Sequence, residues 1–338
     1  MKKKFISSDK SKVQDFVVHE DVDKYLGNIL GEKFKEYRKR WNKASRIENL
    51  YDFPLFLVFE PLWKCNLKCI MCLHSDPKDS ALEYDGKMPW DMYVDIMSES
   101  KKHNCPSLTI GGHCEPLLDT RIVEMIALAR ESGFVDIMLN TNATLLNETI
   151  SKELIESGLT RLRVGFDGAT ASTYEKIRVG ANFEIVRNNI MTFVRLRNEL
   201  NAKIPIVRIS CVHLSKNDQE IDAFIKFWTP IADYVTVQRY RPHVLTEARS
   251  REKLGAGLKA IKNVKCSEPW ERLYVRGNGD VYTCCQPAYG PKLGNVKENT
   301  LQELWHSKKL NNLRSSILDG EWDSIPTCKE CMFQFFSS

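Results

Sequence analysis

Cys65, Cys69 and Cys72 stand at C-x3-C-x2-C spacing in the stretch FPLFLVFEPLWKCNLKCIMCLH, which runs from Phe53 to His74. Three thiolates so close in the chain can converge on one small metal site. Two occupants suit them. Structural zinc wants four closed ligands, commonly a C-x2-C pair answered by a second pair, and His74 is available as a fourth. A 4Fe–4S cluster held by three cysteines leaves one iron open, a place where a cofactor or substrate can chelate. A second group of cysteines follows late in the sequence. Cys266 precedes the segment LYVRGNGDVYTCC (Leu273 to Cys285), Cys284 and Cys285 end it, and Cys328-x2-Cys331 comes after. Four thiolates from these segments can close a site completely, and zinc is common in a four-cysteine site with a C-x2-C half.

The elements that must position these groups are legible as periodicities. Apolar runs predict strands over 53–60, 107–111, 134–140, 159–166, 204–212 and 233–240. Helical patterns fall between them at 89–103, 119–132, 148–157, 182–201 and 217–228. Gly133 and Gly158 each sit just past a helix, where a left-handed C-cap is wanted. Such alternation means parallel strands and βαβ units. It fits both an open, partial α/β barrel and a doubly wound sheet. Ahead of it, His19 to Trp41 carries Val22, Tyr25, Leu26, Ile29, Leu30, Phe34 and Tyr37 at helical spacing, a helical extension that packs on the main body. After about residue 255 the pattern changes: Asn278-Gly279 signals a hairpin, then come Gly294-Asn295-Val296 and a helix from about Thr300 to Leu318.

Strand parity separates two faces. Leu162, Val164 and Phe166 alternate with Arg161, Arg163, Gly165 and Asp167; Val207, Ile209 and Cys211 alternate with Arg208 and Ser210. Helices cover the outside of such a sheet, so the apolar face points toward them. The other face gives the interior a polar lining of Glu60, Asn140, Asn142, Arg163, Asp167, Arg208, Ser210, Gln238 and Tyr240. An ordinary barrel core is filled with Val, Ile and Leu, so a polar lining implies a cavity for a hydroxylated or charged substrate. Cys211 falls on the helix-facing side and reads as a small hydrophobe.

Composition sets limits. The 338 residues carry 49 basic and 44 acidic side chains, a net charge of +5. These charges are interspersed, which argues against a nucleic-acid partner. No apolar run reaches the length of a membrane span, and MKKKFISSDK has no apolar core of a secretory signal. Eleven cysteines without such a signal point to metal or redox chemistry in a reducing cytoplasm rather than to disulfides.

C-x3-C-x2-C directly after a first strand resembles the radical S-adenosylmethionine (radical SAM) superfamily, with Met71 at a position that is often aromatic there. The resemblance implies a partial (β/α)6 TIM-type barrel over 51–255, with a helical extension over 1–50. It implies that the free iron is chelated by SAM, that an electron from the cluster cleaves the sulfonium, and that a 5′-deoxyadenosyl radical takes a hydrogen atom from substrate. Gly111-Gly112-His113-Cys114-Glu115-Pro116 is similar to the loop that holds the SAM amino group, with Cys114 in place of a glycine. Asn142 matches a residue that reaches the SAM ribose. Asp167 and Arg178 lie in a segment, Phe166 to Gly180, that matches the fourth-strand region, Arg178 pairing there with the SAM carboxylate and Gly165 replacing a serine. Val237 and Gln238 fall where adenine stacks.

The C-terminal segment, 256–338, resembles the SPASM/twitch extension, a small β-hairpin-plus-helix domain. The resemblance implies a twitch-type auxiliary 4Fe–4S cluster on Cys266, Cys284, Cys328 and Cys331, making two clusters in all, with flavodoxin or ferredoxin as electron donor. A closed cluster carries an electron rather than binding substrate, so the expected reaction is two-electron oxidation of a polar small molecule such as a sugar or aminocyclitol. Two other chemistries stay open: maturation of a ribosomally made peptide, and radical epimerisation with Cys114 or Cys285 as hydrogen donor. The basic stretch 240–251, with Arg239, Arg241, His243, Arg249 and Arg251, can hold a phosphate or carboxylate or simply face solvent.

Overall fold

The computed structural model describes residues 16–18, 22–75, 86–240, 265–284, 290–329 and 331. Cys285, the stretch 241–251 and the junction at 255–256 lie outside the described residues. Six parallel strands form the centre: β2 (Phe56–Glu60), β3 (Ser107–Ile110), β4 (Asp136–Thr141), β5 (Arg161–Gly165), β6 (Ile206–His213) and β7 (Tyr234–Arg239). Each pairs with the next in sequence order. Five helices return the chain between them: α3 (Trp90–Lys102), α4 (Ile122–Glu131), α5 (Glu148–Glu156), α7 (Phe183–Glu199) and α8 (Ile221–Trp228). These follow the periodicities within a few residues. Gly133 and Gly158 are left-handed as expected, with φ of 96° and 91°.

The apolar face of the sheet is the main core. Leu57, Phe59, Leu108, Ile110, Leu139, Leu162, Val164, Val207, Ile209 and Val235 are buried together against the helices. Each such side chain stabilises the fold by roughly 1.5–3 kcal/mol relative to exposure. Cys211 is fully buried among them, as its parity requires. Val237 is too, which places it on the helix side and away from the interior where adenine was expected to stack.

Three features were not legible in the sequence. A short strand β1 (Phe16–Val18) pairs antiparallel with β7 and covers that edge. The N-terminal extension is two helices, α1 (Val22–Leu30) and α2 (Glu32–Ser45), broken at Gly31, whose φ is 78°. They seal the lower end of the interior: Trp41 meets Phe56 edge-on at 5.7 Å, Arg161 lies over the Phe34 ring at 5.7 Å, and Arg161 pairs with both Asp136 and Asp23. A further helix, α6 (Ala171–Ile177), sits within the segment after β5, capped by the Thr170 hydroxyl.

The C-terminal segment begins with α9 (Glu268–Glu271) and β8 (Arg272–Arg276), turns at Gly279, and continues into β9 (Asp280–Tyr282) and β10 (Lys292–Asn295). β8 pairs in parallel with β2, from Phe56 opposite Arg272 to Glu60 opposite Arg276. The barrel and the C-terminal hairpin therefore share one ten-stranded sheet. The single helix expected after Thr300 is two, α10 (Leu301–Trp305) and α11 (Lys308–Asp319), separated by the Ser307 N-cap. α10 docks on the barrel: the Leu301 and Gln302 amides donate to the Glu99 carboxylate at 3.0 and 2.9 Å, and Trp305 Nε1 donates to the Tyr51 carbonyl at 2.8 Å. No helix among the described residues is long and apolar enough to cross a membrane.

Candidate active site

β2 ends at Glu60, and the chain turns through Pro61 into the cysteine loop. Two backbone bonds clip that loop to the end of α6: the Lys68 amide to the Val179 carbonyl at 2.9 Å and the Ile70 amide to the Ile177 carbonyl at 3.0 Å. The Cys72 amide donates to the Cys69 carbonyl at 2.9 Å, which folds the third cysteine back over the second. Burial raises the pKa of all three thiols, Cys69 up to about 12, and Cys65 and Cys69 are raised further by the neighbouring Cys72. A metal held by these thiolates would displace those protons, so that loading would release them.

The donor set fits a cluster better than a single ion. Among the described residues no three Cys, His, Asp or Glu side chains converge at single-ion distance. His74, the would-be fourth zinc ligand, is buried with Nε2 at 2.5 Å from the His113 carbonyl. Neighbouring thiols that do not meet at one point suit a cubane, whose irons are spread apart.

The loop after β3 forms the adjacent wall. Gly111 has φ of 82°, and a Cβ there would come within 2.9 Å of the Asn140 carbonyl. A Cβ on Gly112 would come within 2.5 Å of Glu60 Oε1. The two glycines thus let the loop fold over the Glu60 carboxylate, which accepts the amides of His113 at 2.7 Å and Cys114 at 3.2 Å. Burial works to raise the Glu60 pKa, but the His113 imidazole, with Nδ1 3.3 Å from Oε1, together with Cys114 and the His113 amide, outweighs it and holds it below its ordinary value. Glu115 is also buried. It accepts from the Thr141 hydroxyl at 2.7 Å, the Asn142 amide at 2.6 Å and the Leu117 amide at 3.0 Å. Here burial wins, and the Glu115 pKa is raised. Its carboxylate ties the glycine loop to the end of β4 and keeps acceptor capacity beyond those three donors.

Asn142 lies past β4 rather than on it. Its Nδ2 donates to Asn66 Oδ1 at 2.9 Å and reaches Cys65 Sγ at 3.7 Å, so it links the cysteine loop to the third βα turn. Asn66 completes the link by donating to Thr144 Oγ1 at 2.7 Å. Asn66 was missed in the sequence, where an asparagine inside a metal loop reads as turn chemistry.

Asp167 and Arg178 form a buried pair, Nε to Oδ2 at 2.6 Å. Asp167 also accepts the Val212 amide at 2.6 Å, which joins β5 to β6. Burial works against the Arg178 charge, but Asp167 and Cys69 outweigh it and its pKa is raised. Arg178 thus stands between Asp167 and the cysteine loop. Gln238 Oε1 accepts from Arg163 Nη2 within the interior. Cys114 is half-buried beside Glu60, and burial with that carboxylate pushes its pKa well up. It is a protonated thiol at the cysteine-loop end of the interior.

The second cysteine group is only partly described. Cys266 and Cys328 pack against the main core, Cys284 follows β9, and Cys331 is half-buried. Burial pushes the Cys328 thiol up to about 11. These four would supply the closed donor set. Arg276, at the end of β8, stacks on Trp63 at 4.2 Å and on Tyr282 at 5.0 Å. It escaped notice because nothing in the sequence says that β8 lies beside β2.

Two family descriptions match: the Radical SAM superfamily over residues 62–227, and the SPASM iron–sulfur cluster-binding domain over residues 266–332. A probable GTP 3′,8-cyclase of Methanococcus maripaludis is 35 % identical over 127 residues, 38 % of this chain and 41 % of that protein. The mycofactocin maturase MftC of Mycolicibacterium smegmatis is 25 % identical over 199 residues, 59 % of this chain and 48 % of that protein. The chain thus spans about half or less of these relatives' lengths. Among solved structures, SuiB of Streptococcus suis bound to the precursor peptide SuiA superposes with a TM-score of 0.61 at 17 % identity, covering 83 % of this chain and 70 % of SuiB. BtrN in complex with AdoMet and 2-DOIA gives 0.55 at 17 % identity, covering 82 % of this chain and 92 % of BtrN. At such identities the likeness is one of fold.

Proposed function

We propose a reaction for a chain that belongs to the radical SAM superfamily and carries a SPASM domain: hydrogen-atom abstraction from a polar small molecule, ending in its two-electron oxidation. Membership brings SAM, a 4Fe–4S cluster and auxiliary iron–sulfur as cofactors. When bound, SAM and its cluster supply a 5′-deoxyadenosyl radical. Cys65, Cys69 and Cys72 would hold that cluster. Gly111, Gly112 and Glu115 would receive the SAM amino group, Glu115 through its remaining acceptor capacity. Arg178, oriented by Asp167, would meet the SAM carboxylate, and Asn142 and Gln238 would flank the nucleoside. Cys266, Cys284, Cys328 and Cys331 would hold an auxiliary cluster that accepts the second electron.

The observation that carries the substrate reading is the interior itself. Arg163, Ser210, Thr236, Arg208 and Gln238 form a hydrogen-bonded polar floor where a filled barrel would be aliphatic. BtrN, of nearly the same span as this chain, binds 2-DOIA, and this supports a small-molecule substrate. The test is anaerobic turnover of the reconstituted enzyme with reductant, SAM and a panel of polyols and aminocyclitols, reading 5′-deoxyadenosine and a product two mass units lighter. A second reading, peptide maturation, is supported by the likeness to MftC and to peptide-bound SuiB. A modified precursor peptide in the same assay, with the small molecules inert, would favour it.

A further inference from the structure

We propose that Arg163 and Arg208 form an oxyanion-binding site inside the barrel, which makes the substrate a carboxylate or phosphate compound. The inference rests on the polar-substrate reading and sharpens it. The two arginines face each other across the β5–β6 register, on the inner face. Their side-chain hydrogen bonds go to neutral groups. Arg163 donates Nε to Ser210 Oγ at 3.1 Å and Nη2 to Gln238, and Arg208 donates Nε to Thr236 Oγ1 at 3.0 Å. Among the described residues neither guanidinium lies within ion-pair distance of a carboxylate.

The acids nearby are already engaged. Asp136 holds Arg161, Asp167 holds Arg178, Glu60 holds two amides, and Glu115 holds two amides and a hydroxyl. Two like charges in a desolvated interior repel, and a buried charge is costly unless paired. Burial and the neighbouring Arg208 hold the Arg163 pKa down to about 9, still protonated at neutral pH. With no acid among the described residues left to pair them, the partner in this proposal is an anion bound from outside the chain. Guanidinium groups bind carboxylate and phosphate through paired N–H donors, and the Ser210 and Thr236 hydroxyls lie between the two arginines to share the remaining oxygens. Gly165, level with the Arg178 guanidinium, is two residues along β5 from Arg163, about 7 Å at strand rise. An anion held by Arg163 and Arg208 therefore anchors one end of a molecule whose other end lies at the proposed SAM level.

The test uses calorimetric titration of the reconstituted full chain at low ionic strength, with inorganic phosphate and with malonate as probes. One saturable site is expected. Arg163→Gln and Arg208→Gln should each weaken it about tenfold or more, Arg163→Lys less, and Arg195→Gln on the exposed face of α7 not at all. Phosphate alone binding marks a phosphorylated substrate, malonate alone a carboxylate. Phenylglyoxal labelling of the unmutated protein gives an independent readout, with the binding anion protecting Arg163 and Arg208. The proposal is overturned if neither probe saturates, or if binding persists in both Gln variants or leaves both arginines open to labelling. The titration needs no reductant and no turnover, so its failure is distinct from absence of 5′-deoxyadenosine.

Discussion

Gly165 is the space that Arg178 occupies: a Cβ at 165 would overlap the Arg178 guanidinium. The glycine on this strand makes room for a neighbour's side chain. It is the vacancy that lets an arginine from the end of α6 swing over β5, reach Asp167 at 2.6 Å and face the cysteine loop.

Gly165→Ala should push Arg178 off Asp167. Overpacking of this kind costs about 1–3 kcal/mol, visible as a lower melting temperature. Loss of SAM binding should accompany it, read by equilibrium dialysis. Arg178→Met, which leaves Asp167 buried without its cation, should destabilise more, by about 3–5 kcal/mol.

The cysteine groups are separable. Cys65→Ala should remove about four irons per chain and all 5′-deoxyadenosine formation. Cys328→Ala should also lower the iron content while leaving substrate-free SAM cleavage in place. Iron and sulfide analysis with electron paramagnetic resonance distinguishes the two. Equal loss of SAM cleavage in both would count against separate roles.

Glu60 makes acid stability depend on the glycine loop. Its pKa is depressed in the fold, so its contribution is present above its ordinary value of 4.5 and is lost as pH falls through the lower folded value. Metal-free protein should lose urea resistance between about pH 5 and about pH 3. Glu60→Gln, less stable at neutral pH, should lose less over that window.

Glu99 caps α10 from a distance of some two hundred residues in sequence. Glu99→Ala should cost about 1 kcal/mol and open the C-terminal segment to limited proteolysis before the barrel. Digestion unchanged from wild type would show that docking rests on Trp305 and the sheet alone.

Much of this was written in the chain. Strand parity placed Arg163, Arg208 and Ser210 inward and Cys211 outward, because a period of two leaves no third choice once helices cover one face. The cysteine loop was legible because its ligands are neighbours in sequence. What escaped was long-range partnering. Asp167 was placed, but not its bonds to Arg178 and the Val212 amide. Asn142 was placed in the polar lining, but not its bond back to Asn66 in the cysteine loop. Around Glu99 and Trp41 no local pattern announces a docking partner far along the chain.

The parallel joint between β2 and β8 reaches beyond the two cysteine groups it connects. All five residues of β2 are buried, and β8 covers the side of it that β3 does not. Cutting the chain after β7 would leave that strand a naked, apolar template for the next molecule's backbone, the setting in which sheets stick to one another. The tail is a lintel, and the barrel expressed alone should clump rather than stand.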